Sequence, residues 1–324
     1  MVSSDQSERT RPAALRPGDT VGIIAPSSGF RHDDMEAGWA ELLRLGYQPF
    51  SLPTIAERDL YFAGSVQRRV NELHAMFARP EIKAILCARG GYGSSYLLPH
   101  LDLDLIRANP KIFVGCSDVT TLLTWFCDAA HLVTFHGPMV AGDLARPAGF
   151  DEPSWLAALA SGEGYQREFG SADVEPLREG IAEGVLYGGC LTLLCASLGT
   201  PFEIQTRGTI LFIEDRGERP YRIDRMLMQL KLARKFEGVQ GIIFGEMIDC
   251  EERGARDYTL QQIVMRILTE LRIPIAFGLK SGHVSNGSIT LPFGVRAKLS
   301  VGRTVSLQYD GAVSRTAAEV QARL

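Results

Sequence analysis

The run Lys111-Ile-Phe-Val-Gly-Cys-Ser-Asp-Val-Thr120 holds an apolar stretch, a sharp break and the beginning of a helical pattern. KIFVG reads as a buried-type strand, and the residues from Thr120 to Ala130 read as a helix. A strand that turns straight into a helix is the repeating unit of an α/β fold. The same alternation precedes it. Thr20 to Ala25 (TVGIIA) is a short apolar run ended by Pro26-Ser27-Ser28-Gly29, and Met35 to Leu45 is a helical stretch closed by Gly46. Ser65 to Phe77 puts Val66, Val70, Leu73 and Phe77 on one face, with Ser65 as the N-cap. Lys83 to Ala88 (KAILCA) is another buried-type strand. Strands separated by helices of this length imply parallel pairing through right-handed crossovers.

Beyond Ala145 the pattern weakens. Glycines and prolines punctuate the chain as far as Gly184, which reads as a connection carrying one short helix, Ser154 to Ala160. The expected division is therefore 1–150, a linker at 151–182, and 183–324. A second alternating block follows. Thr209 to Ile213 and Val239 to Phe244 are strands, and Ile223, Met226, Leu227 and Leu230 form a helical stripe. Leu260, Ile263, Val264, Ile267, Leu268 and Leu271 mark the cleanest amphipathic helix. Short strand-like runs (ITLPFG, AKLSV, TVSLQY) fill the last part of the chain.

Composition narrows the class. A chain of 324 residues, 45% hydrophobic and 22% charged, suits a soluble enzyme of two domains with an ample core. A net charge of -4 leaves no basic footprint for nucleic acid. The first eighteen residues lack the apolar stretch of a signal peptide, and no apolar run approaches the ~20 residues of a membrane span. The six cysteines form no CxxC pair, so reduced, buried thiols in the cytoplasm are expected rather than disulfides or a zinc site.

Open parallel sheets gather ligands at the carboxyl ends of their strands. Two loops leave such ends: Arg89-Gly90-Gly91-Tyr92-Gly93 and Gly115-Cys116-Ser117-Asp118. The second has the layout of a nucleophile elbow, where a turn lifts a serine hydroxyl out of the sheet at a helix N-terminus. Ser and Asp are common caps, and the local sequence by itself favours a plain helix cap over a nucleophile. The glycine loop matches no nucleotide motif. Its backbone N–H groups could line an oxyanion hole, or the loop could be an ordinary tight turn. A serine nucleophile needs a base, and the base needs an acid to hold its tautomer. His283, in the loop after IPIAF, is one of six histidines, and His136 opens the loop HGPM. Glu214 ends the strand TILFI, before Asp215-Arg216-Gly217-Glu218. Composition and spacing do not select among these histidines and acids.

Taken in order, the motifs resemble the LD-carboxypeptidase family of serine peptidases. They are Leu15-Arg16-Pro17-Gly18-Asp19 with the strand after it, Ala88-Arg89-Gly90-Gly91-Tyr92-Gly93, Gly115-Cys116-Ser117-Asp118-Val119-Thr120 and Phe135-His136-Gly137-Pro138-Met139. Ile213-Glu214-Asp215 with Pro220-Tyr221-Arg222-Ile223-Asp224-Arg225, then Gly282-His283, complete the series. The resemblance implies a flavodoxin-like N-terminal domain carrying nucleophile Ser117. It implies a smaller mixed α/β C-terminal domain carrying acid Glu214 and base His283, with the site in the cleft between them. It also implies an oxyanion hole from the N–H groups of Gly91 and Asp118. The implied substrate is a murein tetrapeptide, cut before its terminal D-alanine, with no metal or organic cofactor. Arg89 is placed to meet the substrate carboxylate, or else to make a structural ion pair beneath its loop. The expected protein is a cytoplasmic homodimer with no nucleic-acid or membrane partner.

One departure is Gly188-Gly189-Cys190, where the family usually has Asn after the glycines. Three rivals remain. The first is the family's microcin-immunity branch, which cleaves aminoacyl-nucleotide antibiotics. The second is a cysteine amidotransferase-like enzyme, whose G-x-C-x-G is absent. The third is a muropeptide-binding protein without turnover.

Overall fold

A computed structural model describes residues 8–251 and 257–314. The first block runs β1 (Thr20–Ile24), α1 (His32–Arg44), β2 (Gln48–Phe50), α2 (Val66–Ala78), β3 (Ile82–Cys87), α3 (Leu103–Ala108), β4 (Ile112–Gly115), α4 (Thr120–Asp128) and β5 (Thr134–His136). The second runs α5 (Glu152–Leu156), β6 (Tyr165–Phe169), β7 (Glu175–Arg178), β8 (Gly180–Cys190), α6 (Leu191–Ala196), β9 (Thr209–Glu214), α7 (Pro220–Leu232), β10 (Gly241–Gly245), α8 (Leu260–Ile267), β11 (Ile275–Leu279), β12 (Leu291–Phe293), β13 (Arg296–Val301) and β14 (Val305–Tyr309).

The first sheet has the order β2-β1-β3-β4-β5-β12. β1 to β5 pair in parallel, in the 2-1-3-4-5 order of flavodoxin-like folds. The apolar runs that marked these strands are buried because helices cover them. Phe77 of α2, Phe113 of β4 and Phe126 of α4 meet with ring centroids 5.0 to 6.2 Å apart. Ser65 caps α2 by accepting from Arg68 N–H, as its position before an apolar stripe suggested.

The second sheet has the order β6-β14-β13-β8-β9-β10-β11-β7, with parallel pairing from β8 to β11 and antiparallel strands on either side. This corrects the reading of 151–182 as a linker. The segment supplies both edge strands, β6 and β7, and the start of β8. Its glycines and prolines have another cause. Pro176 sits on an edge strand, where no ladder donor is missed. Gly184 of β8 lies so close to β9 that a Cβ would stand 2.8 Å from Gly208 O. The second half of the chain also returns to the first sheet, for β12 pairs antiparallel with β5 at its edge. Among the described residues no helix is long and apolar enough to cross a membrane.

Candidate functional site

β4 delivers Ser117 to the carboxyl edge of the first sheet, at the start of the turn that becomes α4. Its φ is 61°, a left-handed conformation that a non-glycine residue adopts only when its surroundings enforce it. Those surroundings are explicit. The Asp118 carboxylate is buried and accepts from Ser27 Oγ at 2.6 Å and from Ser94 N–H at 2.8 Å. Ser94 Oγ in turn donates to Asp118 O at 2.6 Å. The loops after β1, β3 and β4 are thus bonded into one unit. Buried Arg69 braces two of them from below, donating to Pro26 O at 2.7 Å and Gly93 O at 2.8 Å.

The glycine loop presses against the serine. A Cβ on Gly90 would lie 2.7 Å from Ser117 Cβ and 3.0 Å from Ser117 Oγ. Gly91 has φ 111°, and a Cβ there would lie 2.4 Å from Ser28 Oγ. Both positions need glycine, one for space and one also for conformation.

His283 and Glu214 come from the second sheet. Glu214 is the last residue of β9 and is wholly buried. His283 follows β11 through Ser281 and Gly282. Its N–H donates to Glu214 Oε2 at 3.1 Å, and its Nδ1 lies 2.8 Å from the same oxygen. An ionised carboxylate only accepts, so Nδ1 carries a proton, and Nε2 is the nitrogen left to bind or release one. Glu246, after β10, holds the far side of the loop by accepting from Ser285 N–H at 3.0 Å and Ser285 Oγ at 2.8 Å. Burial alone would raise the Glu214 carboxyl, but His283 and His136 hold it well below the usual carboxylate range. Burial alone would lower His283, and the adjacent Glu214 outweighs it, so the imidazole sits above its ordinary value.

Ser117, Arg89, Gly90, Gly91 and His283 line one cleft of about 380 Å³, with Arg146 and Arg216 on its wall. A larger cavity of about 920 Å³ lies over the ends of β9 to β11, lined by Arg219, Glu246 and Phe277, and holds neither Ser117 nor His283. The chemistry of the side chains, rather than volume, selects the smaller one. The three arginines differ in freedom. Arg146 pairs with buried Asp143, and Arg216 lies 3.6 Å from Asp249. Arg89 donates to Gly29 O at 3.3 Å and, among the described residues, has no carboxylate within ion-pair reach. Cys116 and Cys190 are buried, which pushes both thiols far above the usual range and leaves them poor nucleophiles. Cys190, at the position of the departure from the family pattern, does not line the cleft, and its N–H donates to Thr120 Oγ1 at 3.0 Å. Among the described residues no group of three His, Cys, Asp or Glu side chains is placed to hold a metal ion.

Residues 21–137 match the sequence profile of the LD-carboxypeptidase N-terminal domain, and residues 183–299 that of the LD-carboxypeptidase C-terminal domain. The chain belongs to the LD-carboxypeptidase family. Members of this family are serine-type peptidases, and this chain is one. A probable murein peptide carboxypeptidase of Bacillus subtilis is 40% identical over 90% of this chain and 91% of its own. The microcin C7 self-immunity protein MccF of Escherichia coli is 30% identical over 90% of this chain and 93% of its own. The crystal structure of a muramoyltetrapeptide carboxypeptidase from Oxalobacter formigenes has a TM-score of 0.82 at 28% identity, covering 91% of this chain and 100% of that one.

Within the LD-carboxypeptidase fold, several residues around the cleft carried no sequence signal. Ser27 and Ser94 sit in loops whose meeting no spacing announces. Arg69 lies on a helix face where the pattern asks only for a polar residue. His136 stood in the motif Phe135-His136-Gly137-Pro138-Met139, but nothing in that motif announced its contact with Glu214.

Proposed function

We propose that this chain removes the terminal D-alanine from murein tetrapeptides through an acyl-enzyme formed on Ser117. The observation that carries the reading is the His283 Nδ1–Glu214 contact behind a cleft that also holds Ser117. Nε2 of His283 takes the proton of Ser117 Oγ, and Oγ attacks the carbonyl before the D-alanine. The N–H groups of Gly91 and Asp118 receive the oxyanion. His283 then protonates the leaving amine, D-alanine departs, and water repeats the sequence to free the tripeptide. Glu214 keeps the imidazole in its working tautomer and stabilises the imidazolium.

Arg89 is the carboxylate receptor in this scheme. Its guanidinium lies on the cleft wall without an acidic partner among the described residues, and a planar fork meets a carboxylate with two hydrogen bonds. A cytoplasmic homodimer completes the reading. Six buried, unpaired cysteines suit a reducing compartment. Exposed Tyr221, Met228 and Leu232 on α7 offer an apolar stripe to a second copy.

The test is incubation with a free tetrapeptide, read by mass spectrometry. Loss of one D-alanine is expected, with release abolished in Ser117→Ala. Cleavage of an aminoacyl-sulfamoyl adenosine with no action on the tetrapeptide would transfer the chain to the activity named for MccF. Binding of the tetrapeptide without turnover would leave a binding protein.

A further inference from the structure

His136 ends β5, opposite β12, and the chemistry above does not use it. It is fully buried, whereas the other five histidines retain some exposure. Its Nδ1 lies 3.0 Å from Ser281 Oγ, and that hydroxyl lies 2.8 Å from Ile289 O. A carbonyl oxygen only accepts, so the single hydroxyl proton of Ser281 goes to Ile289. Ser281 therefore accepts from His136, and Nδ1 carries a proton.

The other ring nitrogen, Nε2, faces Glu214 Oε1 at 3.8 Å, an ion-pair separation rather than a hydrogen bond. Both atoms are buried, and neither has a hydrogen-bond partner among the described residues. The opposite oxygen of the carboxylate is already committed, since Oε2 takes both His283 contacts. A bare lone pair on Nε2 would set two acceptors against each other where water cannot intervene, which is costly. A proton on Nε2 makes the same contact attractive. The space is tightly held: a Cβ on Gly282 would lie 2.7 Å from His136 Cε1 and 2.8 Å from Glu214 Cδ. Phe212 and Phe293 pack on the ring, with centroids 5.2 and 5.4 Å away.

We propose that His136 is a positioning residue of the peptidase centre, an imidazolium that holds the buried oxygen of Glu214 and thereby aims the other at His283. It reaches from the first sheet into the second, so it also sets how the serine half and the histidine half face each other. Its charge opposes that of Glu214 and tempers the pull of Glu214 on His283. Other charged groups that act on His283 include Asp215, Arg216 and Asp143, and Arg89 and Arg146 line the same cleft. Cys116, just after β4, stays neutral through burial. The inference rests on the triad reading above, and its tests separate from that reading because one of them needs no turnover.

Two substitutions dissect the ring. The Asn amide can replace Nδ1 but does not reach Glu214, whereas the Gln amide reaches the Nε2 position. His136→Asn should lower kcat about 10²-fold through misplacement of the base, with KM nearly unchanged. It should also move the acid limb of kcat/KM upward, since Glu214 then acts on His283 without opposition. His136→Gln should recover most of kcat. Wild-type kcat and an unmoved limb in folded His136→Asn would overturn the proposal. The measurement that needs no variant is a ¹⁵N spectrum of the histidine-labelled wild-type protein. Two slowly exchanging N–H protons on its one fully buried ring are expected. A buried ring with a single proton would overturn the assignment whatever the variants do.

Discussion

Gly90→Ala tests the closeness of the glycine loop to the serine. The added Cβ would stand 2.7 Å from Ser117 Cβ, where unbonded carbons prefer about 3.5–4.0 Å. Something must yield by about 1 Å. The backbone of Gly90 is not left-handed, so alanine adds no conformational strain there, and the clash falls on the serine turn. Ser27, Ser94 and Asp118 anchor that turn, so it relieves the contact by swinging the hydroxyl rather than by opening the loop. A misplacement of about 1 Å costs about 10²-fold in rate, or about 2.7 kcal/mol of barrier. Overpacking should cost about 1–3 kcal/mol of stability as well. The assay is steady-state hydrolysis of the tetrapeptide at temperatures well below the melting transition, with thermal unfolding measured in parallel. The expected outcome is a kcat near one per cent of wild type with KM little changed. A folded Gly90→Ala enzyme with wild-type kcat would refute the claim that the loop limits the position of Ser117.

Glu214→Gln should lower kcat by up to about 10⁴-fold, because the base loses its orienting acid. His283 sits above its ordinary value through Glu214 and must be neutral to act as base. The acid limb of kcat/KM should therefore lie above about 6.5 in the wild type and fall in Glu214→Gln; a limb that does not move would show that another group titrates. Cys116→Ala should keep most activity, since its thiol is buried and neutral, whereas Ser117→Ala should lose about 10⁴-fold or more. The reverse result would make the enzyme a cysteine peptidase. If Arg89 receives the substrate carboxylate, a C-terminally amidated tetrapeptide should be cut at least about 30-fold more slowly than the free acid, from about 2 kcal/mol or more for the unpaired cation. Equal rates on acid and amide would remove that role.

What was legible in the sequence follows from what local patterns encode. KIFVG and KAILCA are strands buried on both faces, and continuous apolar runs are what such strands require. The amphipathic stripes of α2 and α7 point to core and solvent through spacing alone. The stripe at Leu260 extends in sequence to Leu271, but α8 ends at Ile267, and Leu268 is buried from a turn. β6 and β7 were hidden because edge strands carry charges and prolines that resemble loop composition. β8 was partly hidden by its glycines. Gly188 would put a Cβ 1.9 Å from Phe212 O, and Gly189 one 2.6 Å from the Thr120 side chain. Such glycines record close approach between backbones distant in sequence, and no short window reveals that. Ser117, Glu214 and His283 stood out only through family motifs taken in order. The spacing between them reflects how two sheets dock, and that is a tertiary property.

The crossing of β12 to β5 bears on how the chain comes off the ribosome. Until residue 291 emerges, the first sheet ends at β5 with an unpaired row of N–H and C=O groups, a template for pairing with other chains. A fragment cut at residue 150 would carry that open edge permanently and would tend to aggregate. Synthesis reaches His283 just before it reaches β12. The loop that carries His283 and the strand that closes the first sheet therefore leave the ribosome together, so the open edge of β5 is covered only once that loop has been made.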